Sequence, residues 1–220
     1  MSWIIVFFKD GGTFMYINIA FLVLGMVVAL ERFVLVYFVL PINEKTFTAS
    51  VEKYLKVGNI DAAAKACQVA PRPALSRATR TLLGLLKNGY ESPMIAVEQA
   101  MMDARGVVMT RISWLWAIAN IATLVGLIGT VSGLIGAFAA ISGVAADKRA
   151  EVLSKSISEA MNNTAFGLSI AVLCIIGHLV VNSKATGVIE KCEHALFQFM
   201  NAHAQWRKGP RSSDAGPAKG

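Results

Sequence analysis

An acid, two carboxamides and a hydroxyl crowd into one short stretch of an otherwise apolar run: Ser158–Glu159–Ala160–Met161–Asn162–Asn163–Thr164. If the stretch is helical, the four-residue spacing of Glu159 and Asn163 puts them on one face. A second hydroxyl, Thr130, lies inside Ile112–Ala146, which contains no charged residue. Carboxylates, amides and hydroxyls can pass a proton or dress an ion that has shed water. Inside an apolar segment they are costly, so they face a partner or a hydrated cavity. Interhelical hydrogen bonding is the alternative for Asn162, Asn163 and Thr164. It returns only about 0.6 kcal/mol per bond on average, which favours a hydrated wall for two adjacent asparagines. Glu159 has a second reading as a surface acid among headgroups, and a Thr alone commonly bonds back to its own helix. Taken together, Thr130, Glu159, Asn163 and Thr164 are assigned to an ion pathway.

Other chemistries find no support. No nucleophile stands beside a base in a known motif, and Gly126–Gly136 lacks the Lys–Ser/Thr ending of a phosphate loop. Cys67, Cys174 and Cys192 form no CxxC and have no zinc-like spacing to histidine, so free thiols are expected. His178 reads better as a satisfied or interfacial histidine than as a proton relay. The sequence therefore predicts no enzyme, no metal and no cofactor.

The elements that would carry the polar cluster are membrane spans. The chain of 220 residues is 55% hydrophobic and 16% charged, against about 25% charged in soluble domains. We divide it into an interfacial segment (1–12, with Trp3–Phe8 at headgroup depth), a first span with its extension (13–40) and a helical insert (41–111). The second span (112–146), an outer loop (147–156), the third span (157–183), a C-terminal helix (184–207) and a disordered tail (208–220) follow. The charge-free part of the first span, Thr13–Leu30, ends at Glu31–Arg32. At the bilayer centre a charge costs about 2.5–3.5 kcal/mol, so this pair is placed at the interface, with Trp114 and Trp116 as further anchors. Lys and Arg concentrate in the insert and the tail, giving a net charge of +7. Basic loops stay in the cytoplasm, so the N-terminus and short loop are placed in the periplasm, and the insert and C-terminus in the cytoplasm.

Gly126, Gly129, Gly133 and Gly136 recur at three- and four-residue intervals along the second span, and Gly167 stands in the third. Small residues at that spacing let helices approach closely in lipid. In the insert, Gly58 predicts a break, Asn59–Ile60–Asp61 a helix start, and Pro71–Arg72–Pro73 and Asn88–Gly89 further breaks. Ser92 predicts an N-cap with Pro93 at the first helical position. From Pro93 the helical pattern can run unbroken into the second span. The expected fold class is an all-α membrane protein with three transmembrane helices and long helical extensions.

Three motifs closely resemble the MotA/TolQ/ExbB proton channel family, in its three-span TolQ/ExbB-like branch. They are Gly11–Gly12–x–x–Met15–Tyr16 leading to Ala29–Leu30–Glu31–Arg32, then Ala119–Phe138 with Gly126–Leu127–Ile128–Gly129–Thr130 at its centre, and Ile157–Leu168 with Glu159 and Thr164. The resemblance implies a pentamer of this chain around a dimer of a single-span TolR/ExbD-like partner, which supplies the titrating Asp. It implies H+ as the transported ion, Thr130 and Thr164 as pore hydroxyls, and a Gram-negative inner membrane. Asn162 and Asn163 depart from the small or apolar residues usual there. On this reading the first span is peripheral. The alternative is a scaffold that assembles a complex without conducting.

Overall fold

The structure, a computed structural model, describes residues 12–40, 44–69, 73–89 and 92–209. The interfacial reading of Trp3–Phe8, the break at Pro71–Arg72 and nearly all of the tail lie outside them. Among the described residues there is no strand. The helices are α1 (Gly12–Val34), α2 (Glu44–Lys56), α3 (Ile60–Val69), α4 (Pro73–Lys87), α5 (Pro93–Val108), α6 (Ile112–Ile141) and α7 (Arg149–Lys208). A five-residue π-helical stretch, Leu35–Val39, continues α1. Three segments are long and apolar enough to cross a membrane: Thr13–Val39, Ile112–Ile141 and Arg149–Arg207. At 1.5 Å per residue α6 is about 45 Å long, more than the hydrocarbon thickness of about 30 Å.

The chain divides into two compact units, one drawing on Met1–Phe33 and Arg111–Asn182, the other on Val34–Thr110 and Ser183–Gly220. In the first, α1, α6 and the leading part of α7 pack around Val28, Leu115, Ile118, Ala119, Ala122, Ile170, Ala171 and Cys174. Their outer faces stay uncovered: Val23 and Val27 on α1, Leu124, Leu127, Val131 and Ile135 on α6, and Val172, Leu173 and Ile176 on α7. Apolar surface this continuous needs lipid or a neighbouring subunit against it. The chain is a multi-pass membrane protein.

In the second unit α2 packs on α3, α3 on α4 and α4 on α5. The residues buried there include Val51, Leu55, Cys67, Leu75, Leu82, Met101, Leu196 and Phe199. The breaks follow the local chemistry. Gly58 (φ 75°) and Gly89 (φ 74°) adopt the left-handed conformation open to glycine. The Asn59 carboxamide oxygen accepts the Ala62 N–H at 3.0 Å and so caps α3. Ser92 does precede α5 with Pro93 at its first position, yet its hydroxyl makes no cap bond.

One expectation fails. The helix from Pro93 does not run on into the second span. It stops at Val108, and Arg111 takes a left-handed conformation at φ 59°. No glycine or proline marks this break, so the helical pattern hides it. The Met109 N–H bonds to the Arg105 carbonyl at 2.9 Å and the Thr110 hydroxyl bonds to the Gly106 carbonyl. Arg111 then bonds both Glu31 carboxylate oxygens, at 3.0 and 3.2 Å. The helix that carries the third span begins within the segment assigned to the outer loop. It starts at Arg149, with Glu151 in the first turn where the helix dipole favours an acid.

Cys67 is 1% exposed, and burial pushes its thiol up from 9.0 to about 11, against the opposing charge of Arg80. A raised thiol pKa means the unfolded chain gives up that proton first. Stability is therefore retained below pH 9 and lost as pH rises from 9.0 towards about 11. In the folded protein Cys67 is expected to resist maleimide at neutral pH and to react on denaturation, read by mass spectrometry of the labelled chain. A Cβ on Gly58 would run into the Trp206 indole, so Gly58→Ala combines backbone strain with a clash. It is expected to lower stability by more than about 1 kcal/mol, measured by thermal unfolding in detergent.

Candidate functional site

The site begins with side chains that are missing. On α6 and α7 the small residues meet as antiparallel neighbours. A Cβ on Gly133 would lie 2.8 Å from the Ala160 Cβ, and one on Gly126 would lie 3.3 Å from the Thr164 Cα. A Cβ on Gly167 would lie 2.6 Å from the Ala122 carbonyl oxygen, and one on Gly129 would land on the Asn163 carboxamide. Gly136 is not part of this contact, since a Cβ there meets nothing within 4 Å.

This approach brings the two threonines together. The Thr164 hydroxyl donates across the seam to the Gly126 carbonyl at 2.7 Å. Thr130 reaches the same carbonyl at 3.2 Å, and the two hydroxyls hydrogen-bond each other. Two hydroxyl hydrogens serve three contacts. With Thr164 donating to Gly126, the Thr130 hydrogen has two acceptors to choose from, so the pair can rearrange its protons with almost no heavy-atom motion. Both residues are half-buried.

Asn163 turns the other way. It is 2% exposed, and its carboxamide oxygen accepts from the Asn18 amide at 3.4 Å. Within one chain it therefore ties α7 to α1 rather than standing beside Thr164 on an open wall. Glu159 is half-buried. With Ser132, Ser156, Gly136 and Asn163 it lines a hollow of about 290 Å³ that Thr13 and Phe14 of α1 also border. The four residues assigned to the pathway thus fall into two places: a hydroxyl pair in the α6–α7 seam, and an acid with an amide at a hollow shared with α1. The first span is tied to this hollow through Asn18, which is 0% exposed. The signal was present in the sequence: Asn18 is the one carboxamide in Thr13–Leu30. It shares the buried stripe Met15, Asn18, Gly25, Val28 at helical spacing.

At the opposite end of the unit Glu31 accepts from Arg111 and lies 3.5 Å from Arg32. Arg32 is 4% exposed, so its guanidinium is not displayed at an open surface. Trp114 and Trp116 are exposed. The Trp116 ring lies 6.0 Å from that of His178. Among the described residues no cluster of His, Cys, Asp or Glu could hold a metal ion.

A sequence model of the MotA/TolQ/ExbB proton channel family matches residues 76–194, more than half of the chain. The chain belongs to that family. Members of the MotA/TolQ/ExbB family are channel and stator proteins that work with partner subunits, not known enzymes. The match takes in the glycine stripe, both threonines, Glu159 and Asn163, whereas Asn18 and all of α1 lie outside it. No curated protein matches the chain.

The seam geometry separates two glycines that look alike in sequence. Gly167→Ala should force a backbone oxygen away and lower stability by about 1–3 kcal/mol, as overpacking does. Gly136→Ala should leave the unfolding temperature of the purified protein unchanged.

Proposed function

We propose that the chain is the channel-forming stator subunit of a motor complex driven by the proton-motive force, in which ion flow moves an envelope-spanning machine. The observation that carries this reading is the hydroxyl pair. Thr130 and Thr164 come from different spans, share the Gly126 carbonyl and lie in a seam bare of bulky side chains. A unit charge crossing 100 mV releases about 2.3 kcal/mol, enough to bias a step between two packed arrangements.

The pair has no acid of its own. Hydroxyls relay protons without holding charge, and Glu159 lines the neighbouring hollow rather than the pair. The resemblance to the family supports a titrating group on another chain, an Asp on a single-span TolR/ExbD-like partner, present as a dimer within a pentamer of this chain. Protonation of that Asp removes a buried charge and changes its preferred position along the hydroxyls. The uncovered apolar faces of α6 and α7 suit such an assembly. The distribution of Lys and Arg supports a periplasmic N-terminus and a cytoplasmic insert and C-terminus, and the resemblance to the family supports a Gram-negative inner membrane.

The glycine stripe alone would also suit a scaffold that does not conduct. The double variant Thr130→Val, Thr164→Val tells the two apart, because it removes both hydroxyls at nearly constant volume. We expect complex assembly to persist and proton flux into proteoliposomes to vanish. Unchanged flux in the double variant would remove the hydroxyl pair from the pathway, and a wild-type complex that passes no protons would leave the scaffold.

A further inference from the structure

His178 lies inside the apolar part of α7. Its Nδ1 is buried and has no hydrogen-bond partner among the described residues. In the tautomer that carries its proton on Nε2, this nitrogen is an unused acceptor in an apolar setting. Its position along the helix matters as much. Fourteen residues separate His178 from Thr164, and fourteen separate Trp116 from Thr130. Fourteen residues is close to four turns, so each lies within about 40° of its threonine's face and about 21 Å along the axis. The Trp116 and His178 rings meet, 6.0 Å apart and tilted by 52°. They close the same side of the α6–α7 seam that the hydroxyl pair opens. Between them, on that face of α6, stands the half-buried Thr123, its hydroxyl bonded at 3.0 Å to the Ala119 carbonyl.

We propose that His178 is a proton-accepting station at the inner end of the pathway, below the Thr130–Thr164 pair. The proposal rests on the proton-conducting reading above. A proton arriving through water along the seam binds Nδ1. The imidazolium releases its Nε2 proton to the inner solution, which leaves the ring as the Nδ1–H tautomer, and a flip of the ring about its Cβ–Cγ bond then presents the bare Nε2 to the seam for the next proton. One proton enters and one leaves, with no other bond changed. Imidazole is the side chain whose ordinary titration range spans physiological pH. The charged groups at this end of the unit are Glu31 and Arg32 on α1 and Arg111 at the head of α6, with the Cys174 thiol one turn away on α7 itself. Glu31 is taken up by Arg111, which leaves His178 as the group at this level able to accept a proton arriving along the seam.

The test uses the complex of this chain with its single-span partner in proteoliposomes, with proton flux read by a pH-sensitive dye. His194→Gln, His203→Gln serves as the background, so that His178 is the one histidine left. His178→Gln is expected to cut flux at least tenfold and to abolish its dependence on inner pH. In His178→Ala, added imidazole is expected to restore flux several-fold, which a packing role does not allow. Flux within twofold of the background in His178→Gln, or loss of flux in His178→Ala without imidazole rescue, overturns the proposal. Should either variant fail to assemble, nitrogen NMR of the background protein decides: a ring that keeps one neutral tautomer from about pH 5 to 8 also overturns it. A background complex that conducts, is silenced by Thr130→Val with Thr164→Val, and conducts undiminished with His178→Gln refutes the histidine station alone. One that never conducts refutes the functional reading as well.

Discussion

The close approach of α6 to α7 is the constraint from which the rest of the membrane unit follows. No hydrophobic force pulls two apolar helices together in lipid, so association depends on contact, on hydrogen bonds across the interface and on lipid entropy. Gly126, Gly129, Gly133 and Gly167 provide the contact by leaving no Cβ between the backbones. Only at that separation can a hydroxyl on one helix reach a backbone carbonyl on the other, as Thr164 reaches Gly126. The hydroxyl pair is thus a product of the glycines. A larger residue at Gly167 would act on the threonines without touching them, and one at Gly126 would press on the Thr164 backbone itself.

The same economy explains Asn18 and Asn163. A carboxamide in the membrane is expensive unless bonded, and a bonded one specifies rotation. Gly129 makes room for Asn163, which then bonds to Asn18 on α1. With Asn163 held there, Thr164, the next residue and about 100° further round the helix, is directed towards Thr130. The two polar places in the unit are therefore coupled through one turn of α7.

Much of this could be read from the residues. The small-residue spacing anticipated the close approach, and the segment chemistry anticipated the breaks at Gly58 and Gly89, because glycine advertises a left-handed turn. Arg111 shows the limit. Its left-handed conformation is held by the ion pair with Glu31, eighty residues away, and no local pattern records a long-range contact. Asn163 illustrates a second limit. Helical spacing placed it with Glu159 and the hollow does so too, but its partner lies on a span that offers only a single carboxamide as a clue. Gly136 repeats the spacing of its neighbours and still meets nothing, since it is exposed while the adjacent Ala137 takes the buried position.

Under the proposed reading, a chain with this geometry is half of a machine. To couple ion flow to motion, some group must change charge where water is scarce, because creating or cancelling a buried charge is what lets the gradient shift the balance between two arrangements. The hydroxyl pair cannot do so. Its virtue is the opposite one: it offers a proton carrier hydrogen-bond partners in more than one arrangement without holding the charge. Glu159, the acid in the polar cluster, is set at the hollow beside α1. An acid presented to the hydroxyls from outside the chain would meet an uncovered apolar helix surface on either flank. It would then be stabilised as an anion only near the seam and, once protonated, released to slide. Under the proposed reading, that asymmetry turns a static pair of threonines into a step.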